Sequence, residues 1–221
     1  MVDFTTLPSL QRRPADAPGQ YRQLYKHLHL VEHYPQSILL GLRKPCDVVT
    51  HTYALDPTAM ARPMRRAPLL RAAAAAPVLA IQHERCTVIH GCLPVGMSLA
   101  SAAPRVLPKL FRHVLLAAAA AAMDGNGAAI SHMRSLRMNY FVLEGCSCVQ
   151  SAAMFADGLR IGLLSLPEPV MTVYESGCKI CVCVGDEWAT KDFDAAFNQC
   201  FGVETKDDPK KSHMDEFAHL I

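Results

Sequence analysis

The sharpest pattern for chemistry in this sequence is the string His29-Leu30-Val31-Glu32-His33. Two histidines four positions apart lie on one face of a helix and can share a zinc ion, and a glutamate beside them can activate a zinc-bound water. The surrounding residues predict a helix over 20–33, because apolar side chains recur at helical spacing at Tyr21, Leu24, Tyr25 and Leu28. One interpretation is therefore a zinc-dependent hydrolase that uses His29, His33 and Glu32.

Over these five residues the sequence resembles the H-x-x-E-H motif of pitrilysin-like zinc peptidases. The resemblance implies a third ligand, a glutamate on a helix further along the chain. Glu84 falls in a predicted hairpin and Glu144 at a predicted strand end, and Pro35 ends the helix just after the motif. The alternative is a surface helix whose histidines face water, so zinc is a possible cofactor and not a required one.

The nine cysteines offer a second kind of metal site. Cys181 and Cys183 alternate along a predicted strand and so share one face, where a third thiol from Cys146, Cys148 or Cys200 could join them around zinc, while Cys178 has the opposite parity. The alternative is that the cysteines are small apolar core residues. Their odd number and the lack of an apolar secretory segment favour reduced thiols in a cytoplasmic or mitochondrial protein that is not secreted.

Charge is divided unevenly along the chain. Residues 1–113 hold 14 Lys/Arg and 6 Asp/Glu, a net charge of +8, whereas residues 114–221 carry a net charge of −6. The basic part is densest at Arg62, Arg65, Arg66 and Arg71, which could contact an acidic protein or the phosphates of RNA. The longest apolar run, residues 114–123, is about half of the roughly 20 residues that a membrane span needs.

Periodicity predicts several further elements. Helices are expected over 107–123, over 147–157 with Gly158 just beyond the end, and over 191–200 with Thr190 as N-cap. Strands are expected over 48–55, 78–81, 86–89 and 138–143, with a hairpin formed by 170–174 and 179–184. Prolines and glycines favour a loop over 91–108.

These elements predict an α+β fold, with a small antiparallel sheet and packed helices in the C-terminal half and an irregular, proline-rich basic N-terminal half. The predicted organisation is an extended arm over 1–19, a helix with an irregular basic segment over 20–68, a compact α+β domain over 69–203, and a charged tail over 204–221.

The order strand, Cys-bearing helix, strand, turn and strand over residues 138–184 looks like the end of the small subunits of TRAPP vesicle-tethering complexes. That resemblance implies a role in vesicle tethering. The sequence contains no phosphate-binding glycine motif and no serine-nucleophile elbow. The leading hypothesis is a non-catalytic structural subunit of an intracellular multi-protein or ribonucleoprotein assembly, with protein or RNA partners bound by the arm and by the four arginines.

Overall fold

A single five-stranded sheet organises the protein. The computed structural model describes residues 1–16, 25, 28, 32–54, 85–94, 99–122, 135–184 and 187–202. Its strands lie in the spatial order β2-β3-β1-β4-β5. They are β1 (Val2–Thr6), β2 (Val48–Ala54), β3 (Arg85–Leu93), β4 (Ser135–Asn139) and β5 (Lys179–Cys183).

The sheet is mostly parallel. β1 pairs in parallel with β3 on one side and β4 on the other, and β4 pairs in parallel with β5. Among the described strands, β2 and β3 form the antiparallel pair. The α+β class is confirmed, but the expectation of an antiparallel sheet in the C-terminal half is corrected. Long connections with helices return the chain to the same end of the sheet, which gives parallel neighbours.

The described α-helices are α1 (Leu7–Leu10), α2 (Gln36–Gly41), α3 (Leu99–Ala122), α4 (Cys148–Leu164), α5 (Glu168–Glu175) and α6 (Glu187–Phe201). The three long ones, α3, α4 and α6, cover one side of the sheet, here called the helix face. α4 packs between α3 and α6. Alternate strand residues point into the resulting core, among them Val2, Phe4, Leu136, Met138 and Ile180.

The N-terminal part of the chain covers the other side, here called the opposite face. Val88 and Cys92 of β3 and Tyr53 of β2 pack there in a second core. The side chains that meet them are Leu10, Tyr25, Leu28, Tyr34, Ile38 and Leu42. The sheet therefore has apolar cover on both faces around β1 and β3.

Residues 2–6 were expected within an extended arm, and they form the central strand instead. Val2 and Phe4 face the helix-face core, while Asp3 and Thr5 are buried on the opposite face. The alternation of these side chains is typical of a strand. An aspartate in the middle nevertheless indicates an exposed segment, because charged residues are almost never fully buried without a partner.

Two helices extend through residues that normally break them. The expected loop over 91–108 is wrong for 91–93 and 99–108, because β3 continues to Leu93 and α3 begins at Leu99 and contains Pro104 and Pro108. α4 continues past Gly158, the expected helix end. In α3, the lost backbone bonds are offset by one fully buried apolar side, formed by Ala103, Leu107, Leu110, Phe111, Val114 and Leu115.

The expected hairpin over 170–184 is also corrected. Its first half is helix α5, and its second half, β5, pairs in parallel with β4. Tyr174 explains the helix, because it is fully buried and its hydroxyl donates to the Leu115 carbonyl at 2.6 Å.

Thr190 lies inside α6, which begins at Glu187, so it is not the N-cap. The strands predicted over 48–55, 86–89 and 179–184 are confirmed, and 78–81 lies outside the described residues.

Candidate functional site

A buried pair of ionisable groups lies at the centre of the opposite face. Asp3 on β1 and His90 on β3 are direct register partners, which places their side chains next to each other. Both are fully buried, and Asp3 Oδ2 lies 2.8 Å from His90 Nδ1. The hydrogen bond between these two atoms joins β1 to β3 inside the core.

Two tyrosines complete the network. The Tyr25 hydroxyl donates to Asp3 Oδ2 at 2.7 Å, and the Tyr53 hydroxyl lies 2.9 Å from His90 Nε2. Tyr34 packs edge-on against Tyr25, with ring centroids 5.5 Å apart. Asp3 Oδ1 has no hydrogen-bond partner among the described residues. The network thus links β1, β2 and β3 to the chain that covers the opposite face.

The phenols of this network are held neutral. Burial, followed by the charge of Asp3, raises the pKa of Tyr25 and of Tyr53 far above the ordinary value. Burial also raises the pKa of Tyr34. A general base at neutral pH needs a pKa near 7, so these tyrosines act as hydrogen-bonding groups.

Beside this network a crevice opens at the carboxyl ends of β1 and β3. Its volume is about 220 Å³, and its lining combines aromatic, hydroxyl and charged side chains: Phe4, Thr5, Thr6, Ser9, Arg12, Arg13, Asp16, Tyr25, Tyr34, Leu93 and Phe141. A smaller pocket of about 120 Å³ shares Thr6, Leu93 and Phe141 and extends toward residues 142–144. Together they are called the carboxyl-edge crevice below.

Chain topology explains why the crevice lies here. After β1 the chain turns to the opposite face, where Leu10 packs, whereas after β3 it continues into α3 on the helix face. Two adjacent parallel strands whose connections diverge leave a gap outside their carboxyl ends. In open α/β sheets, ligands bind in the crevice at such a switch point.

The two arginines of the crevice differ in their surroundings. Arg13 Nε lies 3.1 Å from Asp16 Oδ2, and Arg13 Nη1 lies 3.7 Å from Glu32 Oε2. The hydrogen bond and charge of Asp16, followed by the charge of Glu32, raise the pKa of Arg13. Arg12 is exposed, and its backbone amide donates to the Ser9 carbonyl at 3.1 Å. Its guanidinium has no hydrogen-bond or ionic partner among the described residues, so within that part of the chain it is the unengaged cation of the two arginines.

The predicted zinc string lies only partly within the described residues. Glu32 and His33 are both exposed, and Glu32 contacts Arg13. His29 lies outside the described residues, as do Arg62, Arg65, Arg66 and Arg71. Within the described ranges, no group of three or more His, Cys, Asp or Glu side chains could hold a metal ion.

The cysteines are free thiols. Cys181 and Cys183 share one side of β5 as expected, half-buried and exposed respectively, and their strand partners are Arg137 and Asn139. Cys178 is buried before the strand. Their environments are those of a sheet edge, and a zinc site built on them stays a prediction.

Sequence reasoning missed the central residues, Asp3 and His90. A signal was present: each occupies a polar position between apolar neighbours, in Val2-Asp3-Phe4 and Ile89-His90-Gly91. Period-two alternation places both on one face of a strand. Whether Asp3 and His90 meet depends on which strands are neighbours in the sheet, and a local sequence pattern does not contain that information.

Comparison with known proteins gives no family for this chain. No family model, curated protein or solved structure matches it. Among the described residues, no helix is both long and apolar enough to cross a membrane. The geometry of the carboxyl-edge crevice therefore carries the functional argument.

Proposed function

We propose that this chain is a binding protein that holds a small organic molecule in the carboxyl-edge crevice. The observation that carries this proposal is the position of the crevice at the point where the connections after β1 and β3 diverge. Apolar walls with a few polar groups are typical of ligand pockets.

The chemistry of the described crevice residues favours binding over transformation. The hydroxyls of Thr6 and Ser9 bond to each other at 2.7 Å, and among the described residues neither hydroxyl is hydrogen-bonded to an imidazole or a carboxylate. The tyrosines are neutral, and Asp16 is paired with Arg13. An activated nucleophile needs an adjacent base, which this set of side chains does not supply.

The test is a fragment screen observed on the protein by NMR, using small aromatic and aliphatic molecules. We expect shift changes that cluster at Thr6, Leu93 and Phe141. Leu93→Trp fills the space shared by both parts of the crevice and should abolish those changes. Leu164→Trp is the matched control, because Leu164 is 51% exposed on α4. Binding that clusters elsewhere, or that survives Leu93→Trp, would contradict the proposal.

A second candidate is the non-catalytic subunit of an intracellular assembly. Three large apolar side chains on α4 favour it, since Val149 is 60%, Ile161 36% and Leu164 51% exposed. The partner would be a protein with a complementary apolar surface. The test compares the wild-type chain with Val149→Lys/Leu164→Lys by light scattering and by reconstitution with co-purified subunits. Unchanged assembly in the variant would count against this candidate.

A further inference from the structure

In the larger part of the carboxyl-edge crevice the cations outnumber the carboxylates by one, and the source of the extra charge can be assigned. Arg12 and Arg13 line this part together with one carboxylate, Asp16, whereas Glu144 lines the smaller part. Arg13 is neutralised by Asp16 and by Glu32. The charge that remains available to a ligand is therefore that of Arg12. One unengaged guanidinium matches one carboxylate in a two-point hydrogen-bonded arrangement, whereas a doubly charged group would face the nearby Asp16 with one charge unmatched.

A second polar group adjoins this charge. The Ser9 amide donates to Thr6 Oγ1 at 3.3 Å, and the two hydroxyl oxygens lie 2.7 Å apart. When two hydroxyls bond to each other, one proton is used and the other stays available as a donor. The crevice therefore presents a cation and a neutral donor to an acceptor-rich group.

The rest of the crevice is an apolar wall with a fixed position. Phe141 contacts the rings of Phe4 and Phe155 with centroid distances of 5.0 and 5.2 Å. These edge-on contacts hold its ring in place while the side chain stays half-buried. Leu93 lies beside it in both parts of the crevice. A flat apolar body fits such a wall better than a sugar or a polyamine does.

We propose that the crevice binds a monocarboxylate with a flat apolar body, which places its carboxylate on Arg12 and its body against Phe141 and Leu93. The inference rests on the proposed binding function and adds the class of ligand. It also gives the two adjacent arginines different roles. Arg12 binds the ligand, and Arg13 links Asp16 and Glu32 within the protein.

The experiment is calorimetric titration of the full chain with two probes of the same shape, 2-naphthoate and 2-naphthamide, at low salt. We expect 2-naphthoate to bind at least about tenfold more tightly than 2-naphthamide, because a hydrogen bond to a charged partner is the stronger kind. Arg12→Gln should remove that difference. Arg13→Gln is the matched control and should keep it, since the charge of Arg13 is already engaged. Circular dichroism should show that both exposed substitutions leave the fold intact.

The outcomes separate this inference from the proposed function. Equal affinity for the two probes would overturn the carboxylate assignment and leave a crevice that binds apolar molecules. Binding of neither probe would contradict both proposals. Loss of the difference in Arg13→Gln as well as in Arg12→Gln would overturn the division between the arginines. Tighter binding of 2-naphthyl phosphate than of 2-naphthoate would overturn the preference for a single charge.

Discussion

Asp3 and His90 gain their importance from being buried together. Burying a polar or ionisable side chain costs free energy unless hydrogen bonds compensate it, and the bond between Asp3 Oδ2 and His90 Nδ1 supplies part of that compensation. The tyrosine hydroxyls at 2.7 and 2.9 Å supply the additional bonds. A pair of this kind contributes little compared with an apolar replacement, but loss of one member leaves the other buried without its partner.

Asp3→Ala should therefore destabilise the fold strongly. We expect a loss of about 1–3 kcal/mol for each buried polar group whose hydrogen bond is removed, because His90 Nδ1 and the Tyr25 hydroxyl both bond to Asp3 Oδ2. Urea unfolding followed by circular dichroism measures the change. Asp16→Ala removes an exposed carboxylate from the same part of the chain and should have little effect. Equal losses in the two variants would show that the network has no special role.

At the same scale, the sequence did not single out Asp3 and His90, which the fold brings together. The His29–His33 string drew attention because its spacing matches a known motif; Glu32 and His33 are exposed, His29 lies outside the described residues, and the zinc site stays a prediction. Arg12 and Arg13 look alike in the sequence, and their different roles depend on Asp16 and Glu32, which the fold brings to Arg13. Residue types can be read from a sequence, but the partners of a side chain depend on tertiary contacts.

At the scale of elements, the contact between α3 and α4 depends on glycine. A Cβ atom at Gly162 would lie 2.9 Å from Phe111 Cβ and 3.1 Å from the Arg112 amide nitrogen. A Cβ at Gly158 would lie 2.8 Å from Leu107 Cβ. Glycine is therefore retained inside the helix because it allows close approach of two backbones, although it disfavours helix.

Gly162→Ala should destabilise the protein by about 1–3 kcal/mol, the usual cost of overpacking. Helix propensity alone predicts the opposite sign, a gain of about 1 kcal/mol for glycine to alanine. The measured free energy of unfolding thus decides between the two effects. Ala153→Gly, on the exposed side of α4, is the control, because its change in the free energy of unfolding measures the effect of helix propensity alone in the same helix. A stabilised Gly162→Ala variant would mean that α3 can move aside without cost.

The limits of sequence reasoning for elements follow from such contacts. The end expected at Gly158 and the loop expected around Pro104 and Pro108 used correct local rules, which close packing between α3 and α4 overrides. The strand expected over 170–174 rested on β-branched residues, whereas burial of Tyr174 favours α5. Where local and tertiary signals agreed, as for β2 and β5, the elements were predicted correctly.

For the whole molecule, burial of thiols and phenols predicts sensitivity to alkali. Burial raises the pKa of Cys92 to about 11, and it raises those of Cys46, Cys178, Cys200 and Tyr174 above their ordinary values of 9.0 and 10.0. The unfolded chain therefore releases these protons first, and the free energy of unfolding falls as the pH rises.

We expect stability to decline from about pH 9 and to fall further through pH 11, by up to about 1.4 kcal/mol per pH unit for each group that titrates only when unfolded. Urea unfolding in the presence of a reductant, repeated from pH 7 to 11, measures the profile. Tyr174→Phe should flatten its upper part. A profile that stays level up to pH 11 would show that these groups are open to solvent in the folded state.

The sheet order is the feature of the whole molecule that local pattern could not supply. β1 pairs with strands that begin at residues 85 and 135, and nothing within Val2–Thr6 specifies those partners. The α+β class can be predicted from the helices and strands along the chain. The parallel arrangement and the crevice depend on how the connections run between the strands. The resemblance of residues 138–184 to tethering subunits and the subunit hypothesis both stay predictions.

The central position of β1 has a consequence for how the chain is made. β1 is synthesised before both of its neighbours in the sheet, and the second of them, β4, begins at residue 135. At about 5–20 residues per second, that interval lasts roughly 6 to 26 seconds. Until β4 is made, β1 has β3 as its one available neighbour, and the other edge of β1 has no partner strand. Val2 and Phe4 therefore gain their full apolar cover only when the later elements of the core are in place.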